Sequence, residues 1–366
     1  MATLQKIVIQ DFRNIQLQEL SFSPNINCIS GGNGEGKTNL LDAIWYLSMT
    51  KSAFSASDRF NFRYGTSAFA LSGTYAMPGG TSARFSVRVS DGGQKLVKRD
   101  DKPYERIADH IGVLPIVMVS PADTAMVSES GEERRRFVNA VLSQMDRGYL
   151  SDVQQYNRYL LQRNKLLKAG VWDETLLGTF DERLAALATP IYERRAAFRD
   201  SLLPIVQQYY REISGGREQV GIEYRSDLAS GNLAEILAVR RDRDRVFRYT
   251  TAGVQRDDFL FTMDGHPIRR CGSQGQQKSF LVALKFAQYE VMKAACGCPP
   301  VMLLDDLFDK LDMARVGNLL RMVADKEFGQ IFLTDSNKVR TESIVDALTS
   351  DRSYFETAGG VFTPRQ

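Results

Sequence analysis

The chain holds only two histidines, His110 and His266, and four cysteines, Cys28, Cys271, Cys296 and Cys298, among 366 residues. A Ser-His-Asp or histidine–metal mechanism therefore has little material to work with. Cys296-Gly297-Cys298 is tighter than the two-residue spacing of a zinc knuckle, and no matching Cys or His pair stands elsewhere. Reduced thiols are expected rather than a metal site. Long apolar runs are also missing: Ile116-Val117-Met118-Val119 is far too short to span a bilayer. The first residues, MATLQKIVIQDFRN, lack a charged segment followed by a long apolar stretch, so no secretory signal is expected. The net charge of +3 neither demands nor excludes a nucleic-acid partner, because a few placed Lys and Arg decide such binding. A cytoplasmic protein without a membrane partner follows as the expectation. What remains is ordinary for a globular chain, 43% hydrophobic and 25% charged, and long enough for two domains.

The patterning is mixed. Leu4, Ile7, Ile9 and Phe12 alternate as a strand, and Ile26–Ser30 reads as a short buried strand before a Gly-rich turn and a helix through Leu40, Leu41, Ile44 and Leu47. Antiparallel hairpins are expected over Phe69–Tyr75, Phe85–Val89 and Lys95–Lys98, and a buried strand over Leu114–Val119. From Glu132 to about Gly215 the spacing is helical, with Pro190 and Pro204 expected to punctuate or kink it. Gln219–Tyr224 reads as a brief strand and Leu233–Arg248 as one very charged helix. The α/β texture returns with a strand at Pro300–Leu304, a helix through Leu319–Val323, a strand at Ile331–Leu333 and a helix at Ile344–Leu348. The expected domains are an ATPase lobe over 1–122 and 293–366 and a mainly helical lobe over 123–292.

Gly31-Gly32-Asn33-Gly34-Glu35-Gly36-Lys37-Thr38 fits G-x-x-x-x-G-K-[ST] between a strand and a helix, the context of a phosphate-binding loop. Its glycines let backbone N–H groups curl around phosphates, Lys37 meets the outer phosphates, and Thr38 is expected on Mg²⁺. Four apolar residues then lead to Asp305, expected to hold Mg²⁺, and to Asp306, expected to polarise the attacking water. Helix capping is the plainer reading of that aspartate pair. Asp309, Leu311 and Asp312 follow as an acidic helix start. Ser273-Gln274-Gly275-Gln276-Gln277-Lys278 opens another apolar-periodic helix. Two readings stand level there: a capping box from Ser273 to Gln276, or a second anion site.

Together these motifs resemble the ABC-type ATPases, and within them the SMC-like DNA-repair branch. Phe12-Arg13-Asn14, Gly31 through Asn39, Ser120-Pro121, Glu133-Arg134-Arg135-Arg136-Phe137, Arg256-Asp257-Asp258 and Ser273 to Lys278 are most similar to the RecF family, over nearly the whole chain. The resemblance implies an α/β, ABC-type P-loop ATPase head with an antiparallel β subdomain and an inserted α-helical lobe. It implies ATP and Mg²⁺ as cofactors, with Arg13, Asn14 and Asn39 beside the loop. It implies an ATP-dependent homodimer in which Ser273 to Lys278 meet the partner's γ-phosphate and Asp309 to Asp312 form the D-loop. Implied partners are gapped or double-stranded DNA with RecR and RecO, and the implied role is directing RecA loading in repair and replication restart, in the SOS response, at the nucleoid. SMC proteins place long coiled coils between the lysine and aspartate motifs; here a compact lobe without heptads intervenes. Three departures matter. Gln255 stands where relatives often carry His, no switch histidine follows Ile331–Leu333, and Ser120-Pro121 brings no glutamine to the Q-loop position. Thr334 or Asp335 would sense the γ-phosphate. With Asp306 in place of a longer Glu, slow, DNA-stimulated turnover is expected, with ATP as a timed switch. Arg134, Arg135 and Arg136 are candidates for DNA phosphates or, equally, for packing. The Arg240–Arg245 stretch, with interleaved aspartates, reads rather as a self-paired solvated face. A transporter-coupled ABC ATPase and a small-molecule P-loop kinase are the competing classes; neither needs the RecF-like arginine cluster.

Overall fold

The computed structural model describes residues 1–170, 172–306, 328–338, 345–346 and 349–365. The expected D-loop residues Asp309, Leu311 and Asp312 lie outside them, as do most of the two expected C-terminal helices. In chain order the described elements begin β1 (Thr3–Phe12), β2 (Ile15–Ser21), β3 (Ile26–Ser30), α1 (Lys37–Met49), β4 (Ala68–Ala76), β5 (Ser82–Ser90), β6 (Lys95–Arg99), β7 (Lys102–Pro103) and β8 (Ile116–Val119). Then come α2 (Ala125–Ser128), α3 (Gly131–Met145), α4 (Arg147–Ala169), α5 (Glu174–Ser214), β9 (Val220–Arg225), α6 (Leu233–Val239), α7 (Arg241–Phe247), β10 (Asp258–Met263), β11 (His266–Pro267) and α8 (Ile268–Cys271). The chain closes with α9 (Gln274–Cys296), β12 (Val301–Asp305), β13 (Ile331–Asp335), β14 (Arg352–Ala358) and β15 (Val361–Arg365).

The chain divides into two compact units: Met1–Asp123 with Leu281–Gln366, and Thr124–Phe280. The second division falls inside α9, at 280/281; sequence reasoning puts it in the same helix, at 292/293.

The first unit holds two sheets. One runs β15-β14-β3-β13-β12-β8, with every pairing parallel except β14–β15. Strands β3, β8, β12 and β13 are buried at every residue, which is why they read as unbroken apolar runs rather than alternations. The other runs β2-β1-β4-β5-β6-β7 and is antiparallel. Its β4 and β5 alternate buried and open residues, the pattern of a sheet with one face on the core. Phe12, Tyr46 and Phe69 meet edge to face at 5.1–6.2 Å and join this sheet to α1.

The second unit packs α3, α4 and α5 with a three-stranded antiparallel sheet, β11-β10-β9. Helix α5 is 41 residues long and contains both Pro190 and Pro204. Neither proline ends it, although each removes a helical N–H donor. Burial of Leu184, Ala188, Ile191, Phe198, Leu202 and Val206 along one side holds the helix together. The single charged helix expected over Leu233–Arg248 is two short ones. They meet at Arg240, which leaves helical geometry (φ −91°, ψ 6°) as its guanidinium reaches Asp227 at 2.8 Å and the Thr251 carbonyl at 2.9 Å.

Candidate nucleotide-binding site

Strand β3 delivers the chain into the Gly31–Gly36 loop, and α1 starts at Lys37. Gly34 and Gly36 adopt φ of 83° and 107°, the left-handed region that glycine tolerates. A Cβ on Gly36 would come within 2.8 Å of the Asn14 side chain. Gly36 caps α1 without a side-chain bond, and the first turn carries no acidic residue. Its N–H groups and the positive end of the helix dipole therefore remain available to an anion. Gly32, Asn33 and Gly34 are exposed. Lys37 is 5% exposed, and its ammonium donates to the carbonyls of Gly31 at 2.8 Å and Gly32 at 3.0 Å. Those two acceptors compensate a cation that would otherwise be costly to bury.

Asp305 and Asp306 lie at the C-terminal end of β12, one strand removed from β3. Thr38 Oγ1 donates to the Asp305 carboxylate at 2.8 Å. Thr334 Oγ1, on β13, donates to the same carboxylate at 2.6 Å and accepts the Asp306 N–H at 3.1 Å. Burial pushes the Asp305 carboxyl above its ordinary value; the bonds from Thr334 and Thr38 and the charge of Lys37 oppose that. Asp306 turns the chain at φ 43°. Asp335 is buried, and its carboxylate accepts the Asn337 N–H at 2.9 Å. Thr38 and Asp305 offer hard oxygen donors a hydrogen bond apart, a set that suits Mg²⁺.

Around the loop stands a second layer. Arg13 pairs with the buried Asp42 at 2.6 Å and donates to Asn39 at 2.9 Å and Ser52 at 3.0 Å. Asn39 in turn donates to Asn14 Oδ1 at 2.7 Å. The structure thus brings together Arg13, Asn14, Gly31, Asn33, Gly34, Gly36, Lys37, Thr38, Asn39, Asp305, Asp306, Thr334 and Asp335 in one unit.

Sequence reasoning missed the C-terminal contribution. Glu35, a variable position of the loop motif, accepts at its carbonyl from the Gly360 N–H at 3.0 Å and Thr357 Oγ1 at 3.1 Å. Its carboxylate accepts from the Gly359 N–H. A Cβ on Gly31 would meet Thr357, and one on Gly360 would come within 2.4 Å of the Asn14 carbonyl oxygen. The β14–β15 turn therefore braces the loop. The available signal was the Gly359-Gly360 pair between two strand-like runs.

In the second unit, Ser273 and Gln276 form a reciprocal capping box: Ser273 N–H donates to Gln276 Oε1 at 2.7 Å, and Gln276 N–H donates to Ser273 Oγ at 3.3 Å. Gln276 also donates to Glu218 at 2.7 Å and Gln277 to the Gly272 carbonyl at 2.8 Å. Ser273 and Gln274 are exposed, while Gly275 and Lys278 are half-buried. The arginine run separates by facing. Arg134 is buried, paired with Asp258 at 2.7 Å and bonded to the Met126 carbonyl at 2.7 Å. Arg135 donates to the Asp257 carbonyl at 2.7 Å. Arg136 is exposed and, among the described residues, pairs only along its own helix, with Glu132 and Glu133. The Arg134 guanidinium is engaged by the half-buried Asp258 carboxylate and the Met126 and Glu129 carbonyls, which favours the packing alternative.

The parallel sheet, the loop opening α1, the aspartate ending β12, the antiparallel sheet and the helical insertion define an ABC-type P-loop ATPase head. A protein-family model described as an AAA domain matches residues 6–171. The chain is 40% identical over 358 residues to the DNA replication and repair protein RecF of Bacteroides fragilis (strain YCH46), covering 98% of this chain and 97% of that one. A solved structure of the recombination mediator protein RecF with ATP, in the RecFOR pathway, superposes with a TM-score of 0.89 at 27% identity, covering 100% of this chain and 98% of that one. The Smc head domain of Pyrococcus furiosus shares the fold at a TM-score of 0.58 and 14% identity, covering 100% of this chain and 96% of that one. The chain belongs to the RecF family.

Proposed function

We propose that this chain is an ATP-switched DNA-repair mediator. It dimerises on ATP, binds duplex or gapped DNA, and works with RecR and RecO to direct RecA loading. The observation that carries the reading is the hydrogen-bonded line Thr38–Asp305–Thr334 beside the buried Lys37, in a RecF-family chain. In this reading the first-turn N–H groups of α1 and Lys37 hold the phosphates. Thr38 and Asp305 hold Mg²⁺, which draws charge from the phosphate oxygens when bound. Arg13, Asn14 and Asn39 support the loop. Asp306 orients water, and Thr334, through its bond to Asp305, or Asp335 registers the γ-phosphate. Hydrolysis is slow, because Asp306 is short and no histidine shares its task, and DNA speeds it.

Ser273 supplies the other half of the site in trans. Its hydroxyl oxygen accepts the Gln276 N–H, and its own proton has no acceptor among the described residues. A partner's γ-phosphate is the acceptor this reading provides. ATP then acts as an interfacial ligand, binding the closed dimer better than the open monomer. The chain acts in the cytoplasm, at the nucleoid.

Light scattering tests the reading. Wild type should double its mass with ATP, Mg²⁺ and duplex DNA, while Ser273→Arg binds ATP and stays monomeric. A wild-type chain that remains monomeric at saturating ATP under those conditions would sink the proposal.

A further inference from the structure

The bond from Gln276 to Glu218 lies outside the capping box, yet it decides how the box is made. A side-chain amide has two unlike ends, an oxygen that accepts and an NH2 group that donates. Gln276 uses both. Its Oε1 accepts the Ser273 N–H at 2.7 Å, and its Nε2 donates to Glu218 Oε1 at 2.7 Å. An ionised carboxylate only accepts. Opposite Glu218 the amide must therefore present its NH2 group, which leaves its oxygen for Ser273. Turned over, the amide would set oxygen against carboxylate and NH2 against N–H, two repulsive contacts in place of two bonds.

Glu218 is itself held. It stands half-buried just past the end of α5, and the buried Tyr210 of that helix donates its hydroxyl to the other carboxylate oxygen at 3.3 Å. The next residue, Gln219, exchanges two bonds with Asp264 in the β10–β11 turn: its N–H donates to Asp264 Oδ1 at 2.9 Å, and its carbonyl accepts the Asp264 N–H at 2.7 Å. The carboxylate thus reaches α9 from a segment tied on both sides. At the start of α9, the Ser273 N–H meets Gln276, its carbonyl accepts the Gln277 N–H at 2.9 Å, and its hydroxyl oxygen accepts the Gln276 N–H at 3.3 Å. Only the hydroxyl proton is left to turn outward, and the amide of Gln276 holds the backbone that aims it.

We propose that Glu218 is a positioning residue for the half-site supplied in trans: by fixing which way the Gln276 amide faces, it presets Ser273 toward a partner's γ-phosphate. The proposal rests on the reading of Ser273 given above and deepens it. A preset donor loses little freedom when the dimer closes. Glu218 therefore acts on the closed dimer. It leaves ATP binding by the Gly31–Thr38 loop, which belongs to the other compact unit, unchanged.

The test reads two quantities on the full chain. One is ATP binding at protein concentrations too low for dimers; the other is the ATP concentration for half-maximal dimer by light scattering, with Mg²⁺ and duplex DNA. Glu218→Gln keeps an acceptor for the amide and should dimerise within about two-fold of wild type. Glu218→Ala loses a charge-assisted bond and should raise the ATP midpoint about ten-fold. Glu218→Lys offers only donors, draws the Gln276 oxygen away from Ser273, and should raise the midpoint further. ATP binding by the monomer should be the same in all three. In a Gln276→Ala background neither Glu218→Ala nor Glu218→Lys should add to the defect. Equal shifts in the Gln, Ala and Lys variants, or losses that add across Glu218→Ala and Gln276→Ala, make Glu218 a plain tie between α5 and α9 and overturn the proposal. Monomer ATP binding that falls in step with dimerisation overturns it too. Should Glu218→Lys fail to fold, the comparison of Ala with Gln and the double-mutant cycle decide alone. Ser273→Arg, run alongside, separates the two readings. If it dimerises like wild type, the trans half-site falls and takes the positioning role with it. If it stays monomeric while Glu218→Ala matches wild type, the positioning role alone falls.

Discussion

Lys37 carries a full positive charge at 5% exposure, balanced by the carbonyls of Gly31 and Gly32. Phosphate oxygens would draw the same ammonium outward, so its position and reach both matter. Lys37→Arg keeps the charge but brings a planar fork in place of a point donor. It should retain part of the ATP binding, read by nucleotide fluorescence, and lose hydrolysis; unchanged turnover would remove this loop from the reaction. Arg134 illustrates a different demand on a cation. Its pair with Asp258 is mostly enclosed, at 7% and 27% side-chain exposure. Arg134→Ala strands Asp258 and should cost about 3 kcal/mol in urea unfolding, as breaking a buried pair does. A loss below about 1 kcal/mol would mark the pair as a solvated surface contact instead.

At the scale of elements, the β14–β15 hairpin acts on the nucleotide loop through backbone groups. Gly360 sits at φ 82° with the Asn14 carbonyl where a Cβ would go. Gly360→Ala should push the hairpin off Glu35, weaken ATP binding about ten-fold, a loss of ~1.4 kcal/mol, and lower the melting temperature, because a Cβ at that φ is strained against a backbone carbonyl. Equal affinity would show that the brace is incidental. This contact explains what could and could not be read beforehand. The loop, Thr38 and Asp305 are legible because each motif is contiguous and has its own local grammar of strand, turn and helix. The brace joins Glu35 to residues more than 320 positions away, and no local pattern records such a pairing. The arginine run stays undecided in the sequence for a related reason. Packing and a phosphate contact read as equal there, because the half-buried partner Asp258 stands 124 residues downstream. Pro190 and Pro204 were expected to punctuate or kink the helix, and the packed face of α5 carries it through both without ending it.

For the whole molecule, the proposed division of labour between a loop in one subunit and Ser273 in another makes a prediction about mixtures. Lys37→Ala chains lack the first half-site and Ser273→Arg chains lack the second. Each alone should be inactive as an ATPase, yet mixing them should restore activity, with at most one working site per dimer. Activity that does not return on mixing would place both halves within one chain. The two compact units were anticipated as a lobe inserted into an α/β protein. Sequence reasoning also divides the lobes within α9, at 292/293 rather than 280/281.

The sheet order has a consequence for how the protein is made. Strand β3, which launches the nucleotide loop, pairs with β13 on one side and β14 on the other. Both neighbours emerge about 300 residues later than β3 itself. At ~5–20 residues per second, an apolar strand leaves the ribosome and waits on the order of 15–60 s for partners. Until then the N-terminal region has no completed sheet on which to hold the loop, and Thr38 has no Asp305. A chain stopped before β12 to β14 therefore lacks both neighbours of β3 and the Asp305 that meets Thr38, and should bind no nucleotide.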